Sequence, residues 1–336
     1  MRISLCIIAY NEEESLPGLF QDILAQTYPH NLIEVVLVDA MSTDRTFTMM
    51  QDFSKEATSF EKVVVTQNPK KTQPSGWNVA IQTATGDAIV RVDAHAHIPP
   101  EFIANHVRCL KDGEDISGGP RPNLILNPTP WKETLLLAES SMFGSGIASY
   151  RRSAGAERRY VNTMFHAAYR REVFEKAGLF NENLIRTEDN ELHYRMRKAG
   201  YRFCFDPTIV SYQHTRSSLG KMLKQKYANG YWIGLTAFVC PKCLSLFHFV
   251  PFAFVLAILA TAILAFTWSI IPTILLWSAY LLANLGMSIL AMMQKKNGLT
   301  NLALPLLFFL LHLSYGVGTC LGILSFPLKT LGGWNR

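Results

Sequence analysis

What the last part of this 336-residue chain lacks is acid. All 26 Asp and Glu residues lie before position 245, and the final 92 residues carry only Lys295, Lys296, Lys329 and Arg336 as charges. No formally charged side chain occurs from Cys243 to Gln294, and none again from Asn297 to Leu328. A helix needs about 20 apolar residues to cross a bilayer. The first run therefore holds two spans, divided near Trp268-Ser269-Ile270-Ile271-Pro272, and the second holds one. Membrane helices are expected at about 245–267, 270–293 and 301–326, within a membrane region 241–336. Other absences narrow the rest. There is no G-x-G-x-x-G and no Walker lysine motif, which disfavours dinucleotide dehydrogenases and P-loop NTPases. Basic residues form no stripe interleaved with aromatics, so nucleic acid is not an expected partner. Cys240-Pro241-Lys242-Cys243 has C-x-x-C spacing but no second pair nearby, and plain packing fits it better than zinc or redox chemistry.

The first 244 residues hold 28 bases against 26 acids, a net of +2. No signal peptide is expected, because Ile3–Ala9 is too short for an apolar core and Asn11-Glu12-Glu13-Glu14 follows at once. The head should then stay in the cytoplasm under the cell (inner) membrane, and six cysteines there imply no disulfide framework. Two spans return the chain to the inside at Lys295-Lys296, as the positive-inside rule favours. A crossing third segment would leave Lys329 and Arg336 outside, whereas a re-entrant or interfacial one would not. Lys221, Lys224 and Lys226 precede the spans and should face anionic headgroups.

The head reads as strands alternating with helices. Ile3–Ala9 is an apolar run suited to a buried parallel strand, followed by a helix to about Ala25. Ile33–Val38 is a second strand ending on Asp39, and Ser42-Thr43-Asp44 should cap the next helix. Lys62–Thr66 and Ile89–Val92 are further strands, with a helix from Gly76 to Thr85 between them. This pattern describes a doubly wound α/β sheet whose ligands sit beyond the carboxyl ends of the strands. Ala9–Glu12, Asp39 and Asp93–His95 all fall at such ends. At a strand end the i and i+2 side chains point to one side, so Asp93 and His95 can grip one divalent ion. Open coordination positions on that ion would take diphosphate oxygens.

The ordered set Ser4-Leu5-Cys6-Ile7-Ile8-Ala9-Tyr10-Asn11-Glu12-Glu13, Val38-Asp39-Ala40-Met41-Ser42-Thr43-Asp44-Arg45-Thr46, Arg91-Val92-Asp93-Ala94-His95-Ala96, Gly118-Gly119, Thr187-Glu188-Asp189-Asn190-Glu191-Leu192, Arg195, Gly200 and Tyr212-Gln213-His214-Thr215-Arg216 resembles the family 2 glycosyltransferases of the GT-A fold, in particular their succinoglycan-type glucosyltransferase branch. The likeness covers roughly residues 1–235. It implies a GT-A nucleotide-sugar-binding domain over 1–240, with a nucleotide-sugar half (about 1–117) and an acceptor half (about 118–240), followed by the α-helical transmembrane region. By the same likeness Ala9, Glu12 and Asp39 would contact base and ribose, with Tyr10 and Lys71 also on the nucleotide-sugar side. Asp93 would be the first carboxylate of the metal motif. His95 replaces the usual second Asp, which favours Mn²⁺ over Mg²⁺ because imidazole suits softer ions. His214 would complete the ligand set, the alternative being a buried hydrogen-bonded histidine.

Asp189 sits near a helix N-terminus, where the dipole favours an ionised carboxylate. The resemblance makes it the general base; the alternative is a helix cap. Arg216 would neutralise diphosphate charge, while Glu188, Gln225 and Trp232 belong to the acceptor or gating side. Ala228-Asn229 stands where processive polymerases carry Arg-Trp, which argues for transfer of a single sugar. Arg151, Arg152, Arg158 and Arg159 flank a Gly/Ser-rich segment, Gly144 to Gly155, read as an acceptor loop or a solvated basic loop. The implied activity is inverting transfer of glucose from UDP-glucose onto a polyprenyl-diphosphate-linked glycan. A polyprenyl-phosphate sugar synthase and a catalytically silent scaffold are the alternatives, and intact Asp93 and Asp189 speak against the scaffold.

Overall fold

The computed structural model describes residues 1–125, 127–144, 157–214, 218–294 and 298–332, without the side chains of His214 and 328–332. Arg216, Arg151, Arg152, Lys295, Lys296 and Arg336 therefore lie outside the described residues. Contacts divide the chain into two compact units, Met1–Leu124 with Ala148–His214, and Ile125–Ile147 with Thr215–Arg336. That border differs from the one expected near residue 240, because two helices that precede it pack with the apolar C-terminal region.

In the first unit, strands β1 (Ile3–Ala9), β2 (Ile33–Asp39), β3 (Lys62–Gln67) and β4 (Ala88–Asp93) lie parallel in the order β3-β2-β1-β4. The sheet continues through β9 (Ala168–Arg170), β6 (Ile116–Gly118), β10 (Phe203–Phe205) and β8 (Arg159–Val161), with β9 antiparallel to both neighbours. A three-stranded sheet joins β5 (Ala96–His97), β11 (Tyr212–His214) and β7 (Asn123–Leu124). Alternation along the strands builds two cores. Ile3, Leu5 and Ile7 pack with Ile33, Val35 and Leu37 under α1 (Leu16–Leu24), α2 (Thr46–Glu56) and α4 (Phe102–Lys111). Cys6, Val36, Val38 and Ile89 face the other way, toward α3 (Gln73–Thr83), α6 (Arg171–Ala177) and α7 (Glu188–Lys198). The α3 helix starts three residues earlier than expected, because Thr72 caps it through Ser75 N–H and Pro74 fits the first turn.

Away from the rim that carries Asp39 and Asp93, Glu34 is fully buried in β2 and collects four donors. Thr85 N–H (2.6 Å), Thr85 Oγ1 (3.1 Å), Lys62 Nζ (2.7 Å) and the Ser4 hydroxyl all bond it, tying together β1, β2, β3 and the turn before β4.

The second unit contains α5 (Pro130–Ser140), α8 (Leu219–Val239), α9 (Val250–Thr267), α10 (Ile271–Gln294) and α11 (Leu304–Gly332). Leu246–Thr267, Ile271–Gln294 and Gly298–Pro327 are long and apolar enough to cross a membrane, close to the three expected spans. Leu135, Leu137 and Ala138 of α5 and Met222 of α8 join one core with Leu304, Leu307, Phe308 and Leu311. Beyond it, α8 and α11 run parallel and touch backbone to backbone. A methyl group at Gly230 would collide with Tyr315, at Gly318 with Tyr227, at Gly322 with Tyr231, and at Gly234 with Thr319. Phe238 and Phe326 stack at 4.3 Å where the contact ends. Lys226 corrects an expectation. It does not face headgroups but is buried, its Nζ 3.5 Å from Glu139 Oε1, because it shares the packed face of α8 with Met222 and Gly230. Lys221 and Lys224 are exposed.

Candidate active site

Register alone brings three site residues side by side. Ala9 is level with Asp39 across the β1–β2 pair, and Ile8 is level with Asp93 across β1–β4. Asp39 is fully buried, its two oxygens accepting Ser42 N–H at 3.1 and 3.2 Å and one of them Gln67 Nε2 at 3.4 Å. The loops after β1, β2 and β3 each contain a residue in left-handed conformation: Asn11 (φ 54°), Met41 (φ 61°) and Lys71 (φ 59°). Asn tolerates this region; for Met and Lys it is a strained choice costing about 1–3 kcal/mol, a kind of strain that gathers at functional sites. Side chains stitch the first two loops together. Asn11 Oδ1 accepts Thr43 N–H (2.8 Å), Ser42 Oγ accepts Asn11 N–H (2.9 Å), and Thr46 Oγ1 accepts Glu12 N–H (2.8 Å). Ser42 and Thr43 thus serve the loop, while Asp44 Oδ1 accepts the N–H of Thr46, the first residue of α2, at 3.0 Å. Tyr10 and Lys71 stand exposed on this rim.

Asp93 and His95 each have a protein partner. Asp93 Oδ2 accepts from His166 Nε2 at 3.3 Å, and His166 Nδ1 pairs with Ser211 Oγ at 2.9 Å. Burial lowers the affinity of His166 for a second proton, against the pull of the Asp93 carboxylate. Burial also opposes the charge on Asp93, yet the His166 bond outweighs it, together with the positive charges nearby, and holds the carboxyl well below its ordinary range. His95 Nδ1 lies 3.1 Å from Glu12 Oε1, and its Nε2 lies 2.7 Å from Gln213 Nε2. Burial works against a charged His95, but Glu12 and Asp93 win and raise its pKa. A carboxylate on Nδ1 is the usual brace of a histidine that ligates through Nε2. Asp93 and His95 are therefore an oxygen and a nitrogen donor of suitable type for a divalent ion that takes its other ligands from phosphate and water. Among the described residues no group of three His, Cys, Asp or Glu side chains is arranged around a metal position. His214 lies in β11, paired with Leu124, but its side chain is outside the description.

Glu188 and Asp189 open α7, the first two residues after its N-cap Thr187. Asp189 Oδ1 accepts from Arg91 Nη1 at 2.8 Å, in a pair whose side chains are only 12% and 8% exposed. Glu188 is 3% exposed, and its Oε2 is buried with no hydrogen-bond partner among the described residues. Burial, then the charge of Asp189, raises the Glu188 carboxyl far above its ordinary range. The charge of Asp93 reaches both Glu188 and Arg91, so the end of β4 and the start of α7 share one electrostatic neighbourhood. Gln225 and Trp232 belong to α8 in the second unit, half-buried, with Trp232 edge-on to Tyr231 at 6.2 Å. Sequence reasoning gave no role to Arg91 or His166. A lone cation inside the apolar run Ile89-Val90-Arg91-Val92 is a signal for the first; nothing local marks the second.

Residues 4–178 match Glycosyl transferase family 2, and the chain belongs to that family. It is a glycosyltransferase, and three of its helices are long and apolar enough to cross a membrane. Over 322 residues it is 28% identical to the dolichyl N-acetyl-alpha-D-glucosaminyl phosphate 3-beta-D-2,3-diacetamido-2,3-dideoxy-beta-D-glucuronosyltransferase of Methanococcus voltae, covering 94% of this chain and 95% of that protein. It is 27% identical over 234 residues to the succinoglycan biosynthesis protein ExoA of Rhizobium meliloti, 68% of each chain. The mannosyltransferase PcManGT of Pyrobaculum calidifontis, solved with GDP-Man and Mn²⁺, superimposes with a TM-score of 0.64 at 20% identity, over 96% of this chain and 87% of that one. That last likeness is one of fold.

Proposed function

We propose that the protein is an inverting glycosyltransferase that moves one hexose, glucose from UDP-glucose, onto a polyprenyl-diphosphate-linked glycan at the cytoplasmic face of the cell membrane. The observation that carries this reading is the carboxylate pair at the start of α7, within electrostatic reach of Asp93 at the end of β4. Asp189 takes the proton of the acceptor hydroxyl. The freed oxygen bonds to the anomeric carbon as the bond to the diphosphate oxygen breaks on the opposite face, which inverts the centre to a β linkage. Asp93 and His95 would hold Mn²⁺ or Mg²⁺, with His214 as a third ligand; such an ion, when bound, offsets the charge of the departing diphosphate. Ala9, Tyr10, Glu12, Asp39 and Lys71 bind the nucleotide, Arg216 adds charge at the diphosphate, and Glu188, Gln225 and Trp232 serve the acceptor. Support for the lipid acceptor comes from the name of the Methanococcus voltae relative, a transferase for a dolichyl-phosphate-linked sugar, and from the apolar helices.

The test uses the full-length protein in detergent, a panel of radiolabelled UDP- and GDP-sugars, and three acceptors: polyprenyl phosphate, a polyprenyl-diphosphate glycan and a water-soluble glycan. Mass spectrometry of the product identifies sugar, carrier and anomer. Asp189→Asn is expected to bind donor near the wild-type level and to lose at least ~10²-fold in turnover, the usual scale for a positioned base. Turnover within a few-fold of wild type would reassign Asp189 to a helix cap.

A further inference from the structure

Arg91 is an unexpected residue for the middle of a buried strand. Its guanidinium is taken out of water, which is unfavourable unless charge and hydrogen-bonding partners are supplied. The surroundings supply a selective set. The Trp77 ring centroid lies 4.3 Å from the guanidinium carbon and that of Phe180 lies 4.5 Å from it, both as cation–π contacts. Nη1 donates to Asp189 Oδ1, whereas Nε is buried with no hydrogen-bond partner among the described residues. The site thus leaves part of the guanidinium unsatisfied while securing its contact with one carboxylate.

The parts that hold Arg91 are themselves fixed. Phe180 and Asn78 exchange hydrogen bonds: Asn78 Nδ2 donates to Phe180 O at 3.0 Å, and Phe180 N–H donates to Asn78 Oδ1 at 2.8 Å. This joins the loop before α7 to α3, the helix that also carries Trp77. One turn beyond Asp189, buried His193 ties α7 to the sheet, its Nε2 2.9 Å from the Tyr169 hydroxyl and its Nδ1 3.0 Å from Thr163 Oγ1. Tyr169 in β9 is level with Ile89 of β4, two residues from Arg91. Strand and helix therefore meet at the Arg91–Asp189 contact with both backbones braced.

We infer that Arg91 is a positioning residue for Asp189: it occupies Oδ1 and aims Oδ2 at the acceptor hydroxyl. This rests on the reading of Asp189 as the base. In the step itself the acceptor O–H proton passes to Oδ2 while Arg91 keeps its own protons. Arginine suits the task better than lysine because a planar fork can lie against two rings and still donate in its plane.

The experiment compares Arg91→Lys, Arg91→Met, Asp189→Asn and the two double variants in full-length protein, with kcat, donor KM and donor binding measured for each. Arg91→Lys is expected to lower kcat about 5- to 20-fold and Arg91→Met at least ~10²-fold, each with donor KM within about threefold of wild type. On the Asp189→Asn background neither substitution should cost more, because the group they position is gone. A merely structural Arg91 would weaken donor binding and add its loss to that of Asp189→Asn. Should Arg91→Met fail to fold, Arg91→Lys decides: wild-type kcat in the folded protein, or a further loss on the Asp189→Asn background, overturns the inference. An active Asp189→Asn would instead sink the base itself, and a dead Asp189→Asn beside an unaffected Arg91→Lys would remove only the role of Arg91.

Discussion

At the scale of single residues, the site separates two adjacent carboxyls by their surroundings. Glu188 is buried beside a charge of its own sign and its Oε2 lacks a partner, while Asp189 faces a guanidinium. Adjacent carboxyls in surroundings this different are suited to different roles. Glu188→Gln, which mimics a neutral carboxyl, should therefore keep kcat within about tenfold of wild type in the same assay that registers the loss in Asp189→Asn; an equal collapse of both would show that Glu188 must ionise. Asp93→Ala and His95→Ala should each abolish metal-dependent UDP binding in calorimetry while the protein stays folded, and undiminished, metal-independent affinity would remove the metal role. Glu34 offers a pH test. Burial opposes its charge, but bonds from Lys62, Ser4 and Thr85 outweigh burial and lower its pKa. A depressed carboxyl contributes stability that is complete above its unfolded value, about 4.3, and is lost as pH falls through the folded one. Thermal melts of wild type should thus show an acid-dependent fall below about pH 4.3 that Glu34→Gln, already less stable at neutral pH, shows only in reduced form. What was legible at this scale was local. Asp39, Asp93 and His95 announce themselves by standing at strand ends, whereas the Arg91–Asp189 pair joins residues 98 positions apart.

At the scale of elements, the continuous apolar runs mark β1, β2 and β4 to within a residue, because buried parallel strands leave little choice of side chain. The helix starts were harder. Of Ser42-Thr43-Asp44 only Asp44 bonds an N–H of α2, because the neighbouring Asn11 loop engages Ser42 and Thr43. Least legible was α8, whose lysines suggested a solvated approach to the membrane. Its glycines are its structural statement, since small residues let helices approach to backbone contact in apolar surroundings. Gly322→Leu or Gly230→Leu should force α8 and α11 apart and lower the melting temperature in detergent, by an amount equivalent to about 1–3 kcal/mol or more. Gly286→Leu in α10, where nothing lies within 4 Å, is the control and should melt like wild type. Equal behaviour of the three would mean that the α8–α11 contact does not hold this unit together.

For the whole molecule, the chain visits its second unit twice, through Ile125–Ile147 and again from Thr215 onward. The apolar C-terminal region is therefore not an appendage that can be cut away cleanly. Truncation after Pro241 keeps α5 and α8 but removes Leu304, Leu307, Phe308 and Leu311, and with them the glycine contacts of α11. The truncated protein should aggregate without detergent, because it exposes the apolar faces that α11 covered. Donor binding should persist, since Glu12, Asp39, Asp93 and His95 all lie in the first unit. Use of a polyprenyl-linked acceptor should fall much further than use of a water-soluble analogue. An anchored head works at the effective concentration of a surface-confined acceptor, and that gain disappears with the anchor although no contact to the sugar is lost. Calorimetry with UDP and parallel assays on the two acceptors separate the outcomes. Equal loss on both acceptors would place α8 and its Gln225 and Trp232 in the acceptor site itself, leaving the membrane helices as part of the catalytic machinery rather than as a tether.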